Sequence, residues 1–303
     1  MTARLLDGRA VASRMWRELS ARVATLVAEN GTTPRLAIVR LDDGGASALY
    51  AASLARAAHS VGVEPLTVEP PQGVALSDLG ARIAALNLDP SVAGIVVAQP
   101  LPEHLELPSV VELIDPAKDV DGATWINAGR LAHSAPAFVP ATALAVMTLL
   151  REYEVALEGR RAVVIGRSSV VGRPVAGLLT AAHATVVLCH RRTRNLPRET
   201  RRAEVLIAAA GVPSLVRAEM VSRSAVVIDC GINVTADGIV GDVDFEAVRP
   251  VVAAITPVPG GVGPVTTMCL LEQTITSAER LAASNAEDEA IGRFARADAA
   301  TSR

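Results

Sequence analysis

The sequence predicts an α/β protein built as two α/β domains flanking a cleft, and three observations predict it. The chain has 303 residues, more than a single core usually organises. Hydrophobic residues make up 50% of it, yet it has only three Phe, two Trp and two Tyr, so the interior must be Ala, Val, Leu and Ile, as in layered α/β proteins. Short apolar strands also alternate with helical stretches in two separate runs, which implies parallel sheets.

In the first run, Asp7 and Gly8 precede a helix-periodic series, Val11, Met15, Leu19, Val23 and Leu26, that predicts an amphipathic helix ending near Asn30 and Gly31. Residues 36–41 read as a buried strand, 46–61 as a helix, 66–68 as a second strand, 77–86 as a helix and 94–97 as a third strand. The second run starts after Pro136 and Pro140. It has a helix at 142–153, an apolar strand at 162–165, a glycine-containing turn and a helix from about Val171. Further strands at 186–188, 205–208, 226–228 and 252–255 complete the pattern of a Rossmann-type unit. A final helix over about 266–283 carries Leu270, Leu271, Ile275 and Ala278 on one side, and a polar, alanine-rich tail from Ser284 is expected to be flexible.

Charge and cysteine usage narrow the function. A net charge of −3 with no basic stripe argues against a nucleic-acid partner. Of 29 basic residues the only lysine is Lys118. Cys189, Cys230 and Cys269 are widely spaced and odd in number, so neither a disulfide frame nor a metal site is indicated and a reducing compartment fits best. Charged residues interrupt the first 30 positions, and the longest apolar stretch, 135–150, contains two prolines and falls short of the roughly 20 residues of a membrane span. A cytoplasmic protein with no membrane partner is expected.

Two neighbouring motifs in the second run suit a dinucleotide. Ile165-Gly166-Arg167-Ser168 leads through Gly172 and Pro174 into a helix, where glycine permits close approach and the helix start offers N–H groups to phosphate. Its spacing is not G-x-G-x-x-G, so alone it reads equally as a plain turn. The next strand ends in His190-Arg191-Arg192-Thr193-Arg194, where an arginine accommodates the 2′-phosphate of NADP and a carboxylate would suit NAD. Thr256 to Thr266 is so dense in Gly and Pro that a rigid loop is expected there.

Five segments, Gly94 to Pro102, Lys118-Asp-Val-Asp-Gly122, Gly166 to Pro174, Val227-Ile-Asp-Cys-Gly-Ile-Asn233 and Thr256 to Pro264, together resemble the bifunctional methylenetetrahydrofolate dehydrogenase/cyclohydrolase family. The resemblance implies a folate/catalytic domain from 1–140 plus 265–285, an NADP-binding domain at 141–264, a tail at 286–303, and a homodimer active in one-carbon metabolism. By position, Tyr50 would stack on the folate, Asp121 would hydrogen-bond the pterin, and Gly260, Gly261 and Pro264 would line the cleft. Gly166, Arg167, Ser168, Arg191 and Ile232 would hold NADP.

Two positions depart from the family pattern. Leu54 stands where the pattern S-x-x-Y-x-x-x-K has its catalytic lysine, and Ala98 stands at the glutamine of V-Q-x-P-L-P. Gln99 comes one residue late, which on a strand turns it to the opposite face, and Arg56 is the nearest cation in sequence. Hydride transfer needs positioning, whereas hydrolysis of the methenyl product needs a proton-transfer group. The expectation is therefore an NADP-dependent dehydrogenase with weak or lost cyclohydrolase activity. The alternatives are a relative acting on a different cyclic aminal or imine, and a non-catalytic folate- or NADP-binding protein.

Overall fold

The computed structural model describes residues 3–41, 45–236 and 238–301, with the side chains of 46 and 285–301 left aside. It begins with β1 (Arg4–Leu5) and α1 (Gly8–Asn30), followed by β2 (Arg35–Arg40), α2 (Gly45–Val61), β3 (Glu64–Val68), α3 (Leu76–Leu88) and β4 (Val92–Ala98). Short helices α4 (Leu107–Val111) and α5 (Trp125–Ala132) lead to α6 (Ala141–Glu152). Then come β5 (Arg161–Ile165), α7 (Gly172–Ala181), β6 (Thr185–Cys189), α8 (Leu196–Thr200), β7 (Val205–Ala208) and β8 (Val226–Asp229). A hairpin of β9 (Asn233–Thr235) and β10 (Gly238–Val240), α9 (Phe245–Val248), β11 (Ala254–Ile255) and α10 (Val262–Thr301) complete it. Among the described residues no helix is long and apolar enough to cross a membrane.

The chain divides into two compact units, one of 1–16 with 121–270 and the other of 17–120 with 271–303. The second holds a three-stranded parallel sheet ordered β3-β2-β4. Every residue of β4 is buried, as are Leu36 to Val39 of β2, so these strands need unbroken apolar runs rather than alternation. The first unit holds a six-stranded parallel sheet ordered β1-β11-β8-β7-β5-β6. Val163, Ile165, Leu206, Ala208, Val227 and Ile255 form the middle of its core.

Most long elements lie where the sequence predicts them, and the departures have local causes. β11 covers only the last two residues of the strand expected at 252–255. α10 starts at Val262, four residues before the predicted Thr266, because Pro264 sits in its first turn, where no intrahelical N–H is required. It runs on to Thr301, since Ala, Glu and Arg beyond Ala283 are good helix formers and no Gly or Pro stops it before Gly292. The tail expected over 286–303 falls on residues whose side chains, and for 302–303 also the backbone, lie outside the described residues.

Lys118 illustrates how the second unit is held. Its side chain is buried, with Nζ donating to the carbonyls of Leu86 at 3.1 Å and Asp89 at 2.6 Å. These are among the last carbonyls at the end of α3, where a cation suits the helix dipole. Burial lowers the ammonium pKa, with Asp89 and Asp115 opposing. The same segment is tied to β4 through the Ile95 N–H donating to Lys118 O at 2.8 Å, and to α10 through Gln273 Nε2 and Ser277 Oγ on the carbonyls of Val120 and Ala117. Lys118→Ala is expected to lower the unfolding free energy by about 2 kcal/mol, read from urea denaturation; an unchanged midpoint would show that the cap does not stabilise the fold.

Candidate active site

Parallel pairing of the six-stranded sheet places Ile165 beside Cys189 and Ala208, and Ala208 beside Asp229. The carboxyl ends of β6, β5, β7 and β8 thus form one edge. From β5 the chain moves first to β6 on one side and then to β7 on the other. Ligands of open α/β sheets bind at such a switch point.

Gly166 follows β5 with φ of 115°. A Cβ there would stand 1.9 Å from the Ala209 carbonyl oxygen, so only glycine allows the loops after β5 and β7 to approach. Ser168 Oγ then accepts the N–H groups of Val171 at 3.2 Å and Gly172 at 3.4 Å, capping the start of α7. Arg167 and Ser168 are both exposed at this turn. The N–H of Arg173 donates to Ser168 O at 3.1 Å and Pro174 has none, so the helix start offers an anion its dipole rather than free N–H groups, beside the exposed Arg167 guanidinium.

After β6 the chain turns sharply. Thr193 Oγ1 accepts the His190 N–H at 2.8 Å, and the Arg192 N–H donates to His190 Nδ1 at 3.1 Å. Arg191, Arg192 and Arg194 are exposed, and among the described residues none of them enters an ion pair. Their guanidinium groups therefore remain available to an anion such as the 2′-phosphate. Ile232, just beyond β8, is 68% exposed on the same sheet edge.

Behind this edge lie two buried carboxylates that the sequence reading did not single out. Asp229 accepts N–H groups from Gly231 at 2.8 Å, Asp242 at 3.0 Å and Val243 at 2.9 Å. Asp242 accepts those of Ala210, Gly211 and Val212, and the Asn233 side-chain amide at 2.9 Å. Burial pushes the Asp229 carboxyl up to about 6, against the pull of its backbone donors and with added repulsion from Asp242. The Cys230 thiol is likewise pushed up by burial and then by both aspartates, which makes it a poor nucleophile. A signal was present in the sequence: an Asp within two residues of a Gly, ending or following an apolar run, occurs at both Asp229-Cys-Gly231 and Gly241-Asp242.

The Gly- and Pro-rich segment is closed tightly, as the sequence predicts up to Gly261. Thr256 Oγ1 accepts the Asp229 N–H at 2.8 Å. A Cβ on Gly8 would stand 1.7 Å from Gly261 O, so the start of α1 seats directly on Gly260 and Gly261. Gly263 and Pro264 belong to the first turn of α10. In the same unit, Asp121 Oδ1 accepts the Ala141 N–H at 3.1 Å at the start of α6.

In the second unit, Ser47, Ala51, Leu54, Ala58 and Val61 form the buried stripe of α2, and Leu54 is only 2% exposed. Tyr50, one turn earlier, is 39% exposed, and Arg56 is exposed on another face of the helix. Pairing of β4 with β2 stays regular from Leu36 to Arg40, with Arg40 opposite Ala98; the single irregularity is at Arg35/Leu36. Ala98 is buried and Gln99 exposed, so no bulge brings Gln99 into the place of Ala98.

A doubly wound parallel sheet with a glycine turn at its switch point and an arginine turn on the next strand defines the first unit as a dinucleotide-binding domain of the Rossmann type. Comparison with known proteins makes the assignment specific. The family profile for the tetrahydrofolate dehydrogenase/cyclohydrolase catalytic domain matches residues 6–121, and that for the NAD(P)-binding domain matches 140–282. The bifunctional protein FolD of Azoarcus sp. (strain BH72) is 47% identical over 287 residues, covering 93% of this chain and 98% of that protein. The FolD crystal structure from Campylobacter jejuni is similar with a TM-score of 0.90 at 43% identity, over 92% of this chain and 99% of that one. The Trypanosoma brucei FolD structure, complexed with NADP and an inhibitor, has a TM-score of 0.88 at 37% identity, over 92% and 98%. The chain belongs to the tetrahydrofolate dehydrogenase/cyclohydrolase family.

The raised Asp229 pKa gives a pH test. Its folded pKa of about 6 lies above the ordinary 3.8, so the folded protein holds this proton where the unfolded chain has lost it. The cost of burying the charge is full above pH about 6 and is relieved as pH falls toward about 4. Urea midpoints should therefore fall between pH 4 and 6 more steeply for the parent protein than for Asp229→Asn; parallel profiles would refute the assignment.

Proposed function

We propose that this chain oxidises 5,10-methylenetetrahydrofolate to 5,10-methenyltetrahydrofolate with NADP as acceptor, and that its cyclohydrolase activity is weak or absent. The observation that carries this reading is an asymmetry. Arg167, Ser168, Arg191 and Ile232 are exposed at the sheet edge, which supports a dinucleotide there, while Leu54 and Ala98 are buried and apolar where the family pattern has Lys and Gln.

When bound, NADP supplies the carbon that accepts the hydride. Gly166, Arg167 and Ser168 hold its diphosphate, and Arg191 binds the 2′-phosphate that separates NADP from NAD. Ile232 covers the dinucleotide from the end of β8. Tyr50 stacks on the folate, Asp121 hydrogen-bonds the pterin, and Gly260, Gly261 and Pro264 shape the space beside the reacting carbon. In this reading residues 1–140 with 265–285 carry the folate and 141–264 carry NADP. The protein works as a cytoplasmic homodimer.

As hydride leaves the methylene carbon, a nitrogen lone pair forms the methenyl amidinium, so the oxidation needs alignment and no proton transfer from the protein. Hydrolysis of that cation requires water to add and a proton to leave, work for a titratable group near the carbon. Leu54 has none, Ala98 can orient none, and Lys118 is committed to the end of α3. Arg56 cannot substitute, because a guanidinium stays protonated.

A paired assay tests both parts. NADP reduction with methylenetetrahydrofolate is expected, with methenyltetrahydrofolate decaying at its uncatalysed rate. Leu54→Lys combined with Ala98→Gln is expected to raise hydrolysis by roughly 100-fold. Methenyl hydrolysis by the parent protein that Asp121→Asn abolishes would overturn the second clause, and NADP binding without reduction would overturn the first.

A further inference from the structure

The loop after β7, residues 209–212, forms one wall of the switch-point crevice, with the Ala209 carbonyl oxygen filling the space a Gly166 side chain would take. The N–H groups of Ala210, Gly211 and Val212 all turn to one carboxylate, that of Asp242, at 2.5, 2.8 and 2.9 Å. Successive N–H groups converging in this way make an anion-binding nest. Here a fully buried side chain from beyond the β9–β10 hairpin occupies it. Asn233 Nδ2 supplies a fourth donor at 2.9 Å, and the Asp242 N–H is itself held by Asp229 at 3.0 Å.

We infer that Asp242 is a positioning residue for the dinucleotide: its carboxylate fills the nest of the β7 loop from within, leaving the Gly166–Ser168 turn as the place for the diphosphate. The inference rests on the dehydrogenase reading and extends it to a residue that touches neither substrate nor cofactor. Two effects follow from the geometry. The carboxylate fixes the 209–212 wall at a set distance from Gly166, and it withdraws three N–H groups that would otherwise compete for phosphate.

Asparagine is not a neutral replacement at this position. Oδ1 receives Val212 and Asn233, and Oδ2 receives Ala210 and Gly211. Either orientation of an amide would set its NH2 against two donors, so the wall must shift. Asp244 gives a neighbouring control, since its carboxylate caps α9 by accepting the Ala247 N–H at 3.2 Å and takes no part in the nest.

The test uses the full chain, with NADP affinity from titration calorimetry and steady-state constants for both substrates. Asp242→Asn is expected to weaken NADP binding by about tenfold or more, the loss of charge-assisted hydrogen bonds expressed as affinity, while the folate KM stays within about twofold. Asp244→Asn should leave NADP affinity within about twofold of the parent on the same scale. Equal NADP affinity in the parent and Asp242→Asn would overturn the inference and leave the dehydrogenase reading intact. Should Asp242→Asn fail to fold, hydrogen exchange on the parent protein without cofactor decides. Slow exchange at Gly211 and Val212 supports the filled nest, and exchange at open-loop rates overturns it. Failure of the parent protein to bind NADP would count against the dehydrogenase reading itself, while the exchange rates would still judge the nest.

Discussion

Six backbone N–H groups and one side-chain amide converge on the buried carboxylates of Asp229 and Asp242. Between them these two side chains tie the ends of β7 and β8, the hairpin and the approach to α9 into one unit. Through Thr256 Oγ1 the same network reaches the Gly- and Pro-rich segment, and that segment seats the start of α1. Burying two neighbouring carboxylates is costly, and full hydrogen bonding is what makes it tolerable. The network stands behind the sheet edge where strand order reverses, so its rigidity is passed to the loops that face a ligand.

The departures at Leu54 and Ala98 belong to the other unit and leave this edge untouched. Both are accommodated without strain visible in the backbone: Leu54 continues the buried stripe of α2, and Ala98 ends a strand whose pairing is regular. An apolar side chain in a buried stripe stabilises the helix against its sheet, whereas a lysine there would need a partner for its charge.

Much of this was legible in the sequence because parallel sheets write themselves as apolar runs. Leu36 to Val39 and Val92 to Ala98 are buried along their whole length, as strands of a parallel sheet covered on both faces require. The turn at Gly166 and the arginine turn were legible as turns because a strand ends immediately before each of them. Asp229 and Asp242 were not. Their partners lie up to 32 residues away, and an aspartate near a glycine more often marks an exposed turn than a buried hub. The short helices α4, α5, α8 and α9 escaped for a related reason, since one or two turns carry too little periodicity to register. The early start of α10 was hidden by Gly263 and Pro264, which read as loop residues but fit a first helical turn.

The single lysine has a consequence outside catalysis. All other side-chain cations are arginine, and the one ammonium is withdrawn beneath the end of α3. The folded surface thus presents no side-chain amine, so acylating reagents, amine-directed cross-linkers and enzymes that acetylate or ubiquitinate lysine find no side-chain target until the second unit opens. Its positive charge is carried entirely by guanidinium groups, which hold their charge at any physiological pH and bind phosphate through a fixed planar fork.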